Sequence, residues 1–176
     1  MNLKYFPVVL ILAALLLPAA RAQHNLEQAR KDWPDLRILD PQRMRGLSVA
    51  VKGDLTQRDC RIPIFTKWDG RHNVISGSFM APGSQDLAVL CLHGDDMSII
   101  VYPGGDTKDA REIRKFPADA YRMIHTVSPF VLKKKAIRDK ATEQLPDFDH
   151  DGIEDGPVGE RSETAYFTAD KWMTVF

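Results

Sequence analysis

The sequence predicts a mainly β, α+β fold: an antiparallel meander or small sandwich with one or two helices at its N-terminal end. Three observations lead there. From Cys60 onward the apolar residues come in short runs rich in Val, Ile, Leu and Tyr, each bounded by Gly, Pro, Asp or Asn. Helical three- and four-residue spacing marks the stretch before Cys60, and helical signals are few after it. The length, 176 residues, leaves room for one hydrophobic core after a leader is removed.

The leader is MNLKYFPVVLILAALLLPAARAQ. Lys4 precedes an apolar run from Val8 to Leu17, and Ala20 and Ala22 frame a cut before Gln23. These are the features of a secretory signal peptide over residues 1–22. An apolar run of that size is about half what a spanning helix needs, and no cysteine stands at the cut to carry a lipid. Localisation is therefore read as secreted or periplasmic, with no membrane span after cleavage. Of 24 basic residues the leader removes Lys4 and Arg21, and of 24 acidic residues none, which leaves a net charge of −2. A surface so nearly neutral argues against a general electrostatic grip on nucleic acid or anionic membrane.

Residues 23–40 read as an N-terminal helix or arm in which Pro34 stops any helix near Asp32. Residues 41–176 read as a single β-rich domain. Its first part places Met44, Leu47, Val51 and Leu55 at helical steps, with Gly46 and Gly53 as interruptions, and a strand at Leu47 to Val51 fits nearly as well. Then come the strand-like runs NVISGSF, DLAVLCLH, MSIIVYP, REIRKF and YRMIHTV, with HGDD and PGGDTKD as turns. TAYFT, a turn at Ala169-Asp170 and KWMTVF close the chain. Cys60 and Cys91, in an oxidising compartment, are expected to form one disulfide.

The most specific feature is PDFDHDGIED, residues 146–155. Asp147, Asp149 and Asp151 alternate, Gly152 follows, and Asp155 closes a D-x-D-x-D-G-x-x-D pattern. Calcium takes six to eight oxygens, and carboxylates at alternate positions of a short loop supply them. The expected ligands are the side chains of Asp147, Asp149, Asp151 and Asp155 with the carbonyl of Ile153, and the ion would be structural. An EF-hand is excluded, because its twelfth position needs a glutamate and Val158 stands there, with Glu160 two residues late. The same aspartates also suit a metal-free acidic turn that bonds to its own backbone amides. An internal echo accompanies the loop: SFMAPGSQD, residues 78–86, aligns with residues 147–155 at Phe79/Phe148, Gly83/Gly152 and Asp86/Asp155.

GSFMAPGSQDLAVLC, MSIIVY and DFDHDGIED resemble the FG-GAP, or integrin-α-like (VCBS-type), calcium-loop repeat. CRIP, NVISGSF, DLAVLC, DHDGIED and a closing Tyr/Trp strand look more closely like a family of small secreted bacterial proteins of unassigned function. The resemblance implies propeller-blade-like sheets, calcium at Asp147, Asp149, Asp151, Ile153 and Asp155, and an architectural or adhesive role. The first unit carries Met80, Pro82 and Ser84 where ligands would stand. Two units are also fewer than the four blades a propeller typically needs.

No other motif selects a chemistry. His72, His93, His125 and His150 lack metal-ligand spacing, and CLHGDD packs a cysteine, a histidine and acids too closely for a site assembled from distant segments. KKKAIRDK, residues 133–140, reads as a solvated face or an exposed hairpin, and Trp68, Trp172, Tyr102 and Tyr166 as core or rim packing. The function read from the sequence is a calcium-binding or scaffolding module at the cell envelope with a protein or glycan partner. The rivals are a secreted enzyme inhibitor with a stiff loop near 103–109 or 128–140, and a hydrolase with an unidentified site.

Overall fold

The computed structural model describes residues 31–68, 72–118, 122–138, 145–157 and 160–175. The signal peptide and residues 23–30 lie outside them. Among the described residues are ten strands in three antiparallel sheets and two α-helices, the mainly β, α+β architecture expected. Helical conformation ends at Asp32, just before Trp33-Pro34, and the chain then enters β1 (Leu36–Leu39), which the sequence did not mark as a strand. β1 pairs with β2 (Ile62–Phe65).

Between them lies α1 (Val49–Gln57), where Ser48 caps the N-terminus by accepting from the Val51 N–H. The helix starts later than the apolar spacing suggested, because Gly46 turns the chain at φ +85°. Its apolar set nevertheless packs as one group: Leu47, Val51 and Leu55 are buried and Met44 rests against them.

Two four-stranded meanders follow. The first is β3 (Val74–Gly77), β4 (Asp86–His93), β5 (Asp96–Tyr102) and β6 (Arg111–Pro117), paired in that order. The second is β7 (Arg122–Val127), β8 (Gly152–Pro157), β9 (Glu163–Thr168) and β10 (Lys171–Val175), again paired in chain order. The β9–β10 turn puts Ala169 and Asp170 at φ +47° and +59°, the left-handed pair whose twist matches a tight hairpin. α2 (Pro129–Arg138) is inserted between β7 and β8.

The burial pattern explains why DLAVLCL reads as a continuous apolar run. Side chains alternate across a strand. Ala88, Leu90 and Leu92 of β4, with Met97, Ile99 and Val101 of β5, join Met123, Ile124, Ile153 and Ala165 of the second meander in one core. Val89, Cys91, Ile100 and Tyr102 point the other way, onto α1 and Ile62. On the far side of the second meander a third core gathers Val127, Leu132, Phe148, Tyr166 and Val175 under α2.

Cys60, just after α1, and Cys91, on β4, form the expected disulfide with Cα atoms 5.3 Å apart. Closing a loop of 31 residues stabilises the fold by about 3 to 4 kcal/mol on the chain-entropy model. Arg61 and Leu92 reinforce the same junction by exchanging two backbone hydrogen bonds of 2.8 and 2.7 Å.

Candidate functional site

The acidic segment leads from α2 into β8, and the structure sends its carboxylates to different partners. Asp147 is 95% exposed and lies 3.5 Å from Lys133. Asp149 accepts from the Tyr166 hydroxyl at 3.1 Å and lies 2.6 Å from His150 Nδ1. The bonds to His150 and then Tyr166 hold the Asp149 carboxyl below its ordinary range. Asp151 turns toward the first meander: its Oδ2 accepts from Ser78 N at 2.9 Å, and its own N–H donates to Ser78 O at 3.0 Å.

Ile153 and Asp155 belong to β8 rather than to a loop. Ile153 is buried between Thr126 and Ala165. Asp155 has 0% exposure, and both of its oxygens are taken. Oδ1 accepts from Arg122 at 2.6 and 3.1 Å, and Oδ2 is paired with Arg114, which also reaches Glu163. Arg114 lies on β6, so this charge cluster ties the first meander to the second. Gly152 does not make a sharp turn; it opens β8, where a Cβ would come within 2.9 Å of Thr164. Among the described residues no three His, Cys, Asp or Glu side chains converge as a metal group. As placed, the five predicted ligands do not share one oxygen sphere.

The echoed segment 78–86 lies at the equivalent place, between the first and second strands of its own meander. Phe79 is buried, as Phe148 is. Asp86 closes this loop through protein donors alone: Oδ2 accepts from Phe79 N and Met80 N, both at 2.8 Å, and from the Ser84 hydroxyl at 2.5 Å. Its Oδ1 accepts from Gly104 N at 2.9 Å. The 103–109 segment is thereby pinned at its start, and 129–138 is a packed helix, so neither is a free-standing loop.

Around these loops runs a cleft in two parts that share Gly46, Ser76 and Leu87. One part, about 460 Å³, is lined by Ser48, Ser78, Ser84, Gln85, Asp86 and Asp151 among others. The other, about 440 Å³, adds Arg45, Ile64, His72 and Val74. The walls come from the segment before α1, the first meander and the acidic loop. Together they offer serine hydroxyls, the Gln85 amide, the Asp151 carboxylate and short apolar surface, while Asp86 is buried and spends both oxygens on protein donors.

The segments that form this junction are held by Asn73, which sequence reasoning missed. It is fully buried at φ +64°, its Nδ2 donates to Pro63 O at 2.5 Å, and its Oδ1 accepts from Ile124 N at 2.9 Å. One side chain thus joins β2 to β7. Left-handed backbone is tolerated best by Gly, Asn and Asp, and that was its only signal. Arg114 and Arg122 had a clearer one, since an arginine inside a strand-like run calls for an acid on a neighbouring strand.

A smaller hollow of about 190 Å³ gathers Trp68, His125, Glu154, Glu160 and Ser162. Here the Ser162 hydroxyl donates to Glu154 Oε1 at 2.6 Å, the oxygen that Lys135 reaches at 2.5 Å. The serine proton is directed at a carboxylate, so the nucleophile-to-histidine hydrogen bond of acyl-transfer sites is not made. Cys91 is spent in the disulfide, which removes it as a thiol nucleophile. His72 accepts from Phe65 N at 3.0 Å. Of the four aromatics singled out in the sequence, Tyr102 and Tyr166 are fully buried, while Trp172 packs on Phe167 and Trp68 is half-exposed.

No family model, no curated protein and no solved structure matches the chain.

Proposed function

We propose that this protein is an extracytoplasmic binding module that holds a hydroxyl-rich ligand, a glycan in class, in the cleft framed by the segment before α1, the first meander and the acidic loop. The carrying observation is the lining of that cleft. Serine hydroxyls, Gln85 and Asp151 stand around a concave space whose floor includes Val51 and Leu87. Hydroxyl and amide groups exchange hydrogen bonds with sugar hydroxyls in both directions, and a carboxylate accepts from two at once. The disulfide supports an oxidising compartment, and no described helix is long and apolar enough to cross a membrane.

In this reading the acidic loop shapes the cleft and is closed by the protein's own donors. Calcium at Asp147, Asp149, Asp151, Ile153 and Asp155, expected from the aspartate spacing, is the rival to this closed loop. To join the five ligands, Asp155 would have to release Arg114 and Arg122.

Titration of neutral and acidic oligosaccharides into the oxidised protein, followed by calorimetry and amide chemical shifts, tests the reading. Saturable binding with shifts at Ser78, Ser84 and Gln85, weakened several-fold in Gln85→Ala, is expected from loss of one hydrogen bond at an exposed position. Absence of binding, or shifts confined to other surfaces, would overturn it.

A further inference from the structure

α2 shows a face that no described residue covers. Leu132 is its one buried residue, and Ala136 rests on the third core beside it. Lys135 is turned toward the body of the protein, where it pairs with Glu154. Phe130 and Ile137 point outward with 75% and 80% exposure, and Val131 is also exposed. At 3.6 residues per turn, positions seven apart share a face and lie about 10 Å from each other along the axis. Phe130 and Ile137 therefore form one apolar ridge.

Cations flank that ridge. Lys134, three residues before Ile137 and four after Phe130, is exposed on one side with no ion pair among the described residues. Arg138 is exposed beyond it, and Lys133 lies on the other side against the highly exposed Asp147. An exposed pair of that kind is weak and readily exchanged for another anion. A short helix with large apolar side chains in the middle and lysines at the flanks matches a bilayer surface in both respects. The apolar groups enter the acyl boundary while the ammonium groups stay at the phosphates.

We infer that the outer face of α2 docks on the surface of an anionic phospholipid bilayer, with Phe130 and Ile137 inserted and Lys133, Lys134 and Arg138 at the headgroups. The near-neutral net charge does not oppose this, because the relevant field is local and falls off within a Debye length.

The test is co-sedimentation of the oxidised mature protein with phosphatidylcholine vesicles made with and without phosphatidylglycerol. The expected result is binding only to the anionic vesicles, falling with added salt. Phe130→Ser/Ile137→Ser and Lys134→Glu should each reduce it about tenfold. Both variants alter exposed side chains, so an unchanged melting temperature separates lost docking from lost folding. Equal binding to both vesicle types, no binding at low salt, or binding to an acidic polypeptide but not to vesicles would overturn the inference.

Discussion

Ser78 and Asp151 clasp each other across 73 positions of the chain: Ser78 N donates to Asp151 Oδ2 while Asp151 N donates to Ser78 O. The clasp joins the loop of the first meander to the acidic approach of the second. Gly77 lets the two segments come this close. A Cβ there would meet Phe79 Cε1 at 2.7 Å and Asp151 Oδ2 at 2.9 Å. Gly77→Ala is expected to destabilise the protein by about 1 to 3 kcal/mol through overpacking. Chemical denaturation checks this, and Asp151→Ala should lose a comparable amount.

Asp155 is a buried charge held by two guanidiniums. Removing the acid leaves Arg114 and Arg122 facing each other, and Asp155→Ala is expected to cost on the order of 3 kcal/mol. Removing only Arg122 leaves Arg114 as a partner and should cost less. Urea unfolding of the two variants measures the order, and the reverse order would mean that Arg122 acts through its packing over the Phe116 ring, 4.3 Å away.

Asn73→Ala strips the partners from Pro63 O and Ile124 N and puts a residue with a Cβ and no compensating side-chain bond at a positive φ. A loss of roughly 2 to 4 kcal/mol is expected. Hydrogen exchange should show the Ile124 amide losing protection first.

Glu154 supplies a pH dependence. Burial pushes its carboxyl up, but the bonds from Lys135 and Ser162 outweigh this and hold it below its ordinary value. A carboxyl depressed in the folded state stabilises above its unfolded pKa of about 4.3, and that stability is lost as pH falls through the folded value. Thermal melts of wild type and Glu154→Gln should therefore differ near neutrality by about 1 kcal/mol and converge in acid. A constant difference at all pH values would contradict the assignment.

The strands with periodic or continuous apolar character were legible: β3 to β7, β9 and β10 all lie on the runs picked out in the sequence. β8 was not, because Gly152, Glu154, Asp155 and Gly156 look like a turn. What makes GIEDGP a strand lies elsewhere in the chain, in Arg114, Arg122 and Lys135, which neutralise its acids, and in neighbours that leave no room for a Cβ at Gly152 and Gly156. α2 was hidden for the opposite reason. Only Leu132 of its ten residues is buried, so no apolar stripe announced it and the lysines dominated. The aspartate alternation was real, but spacing along a chain does not determine which way each carboxylate turns. Here Asp151 and Asp155 are drawn to donors on the first meander, 73 and 41 residues away.

The most direct test of a self-closed acidic loop is calorimetric titration of calcium into the oxidised protein, with thermal melts of wild type and Asp149→Ala in calcium and in chelator. The expected result is no saturable heat and melting temperatures that do not depend on calcium. Saturable binding that raises the melting temperature of the wild type but not of Asp149→Ala would contradict it, and would mean that Asp155 gives up its arginines to a cation.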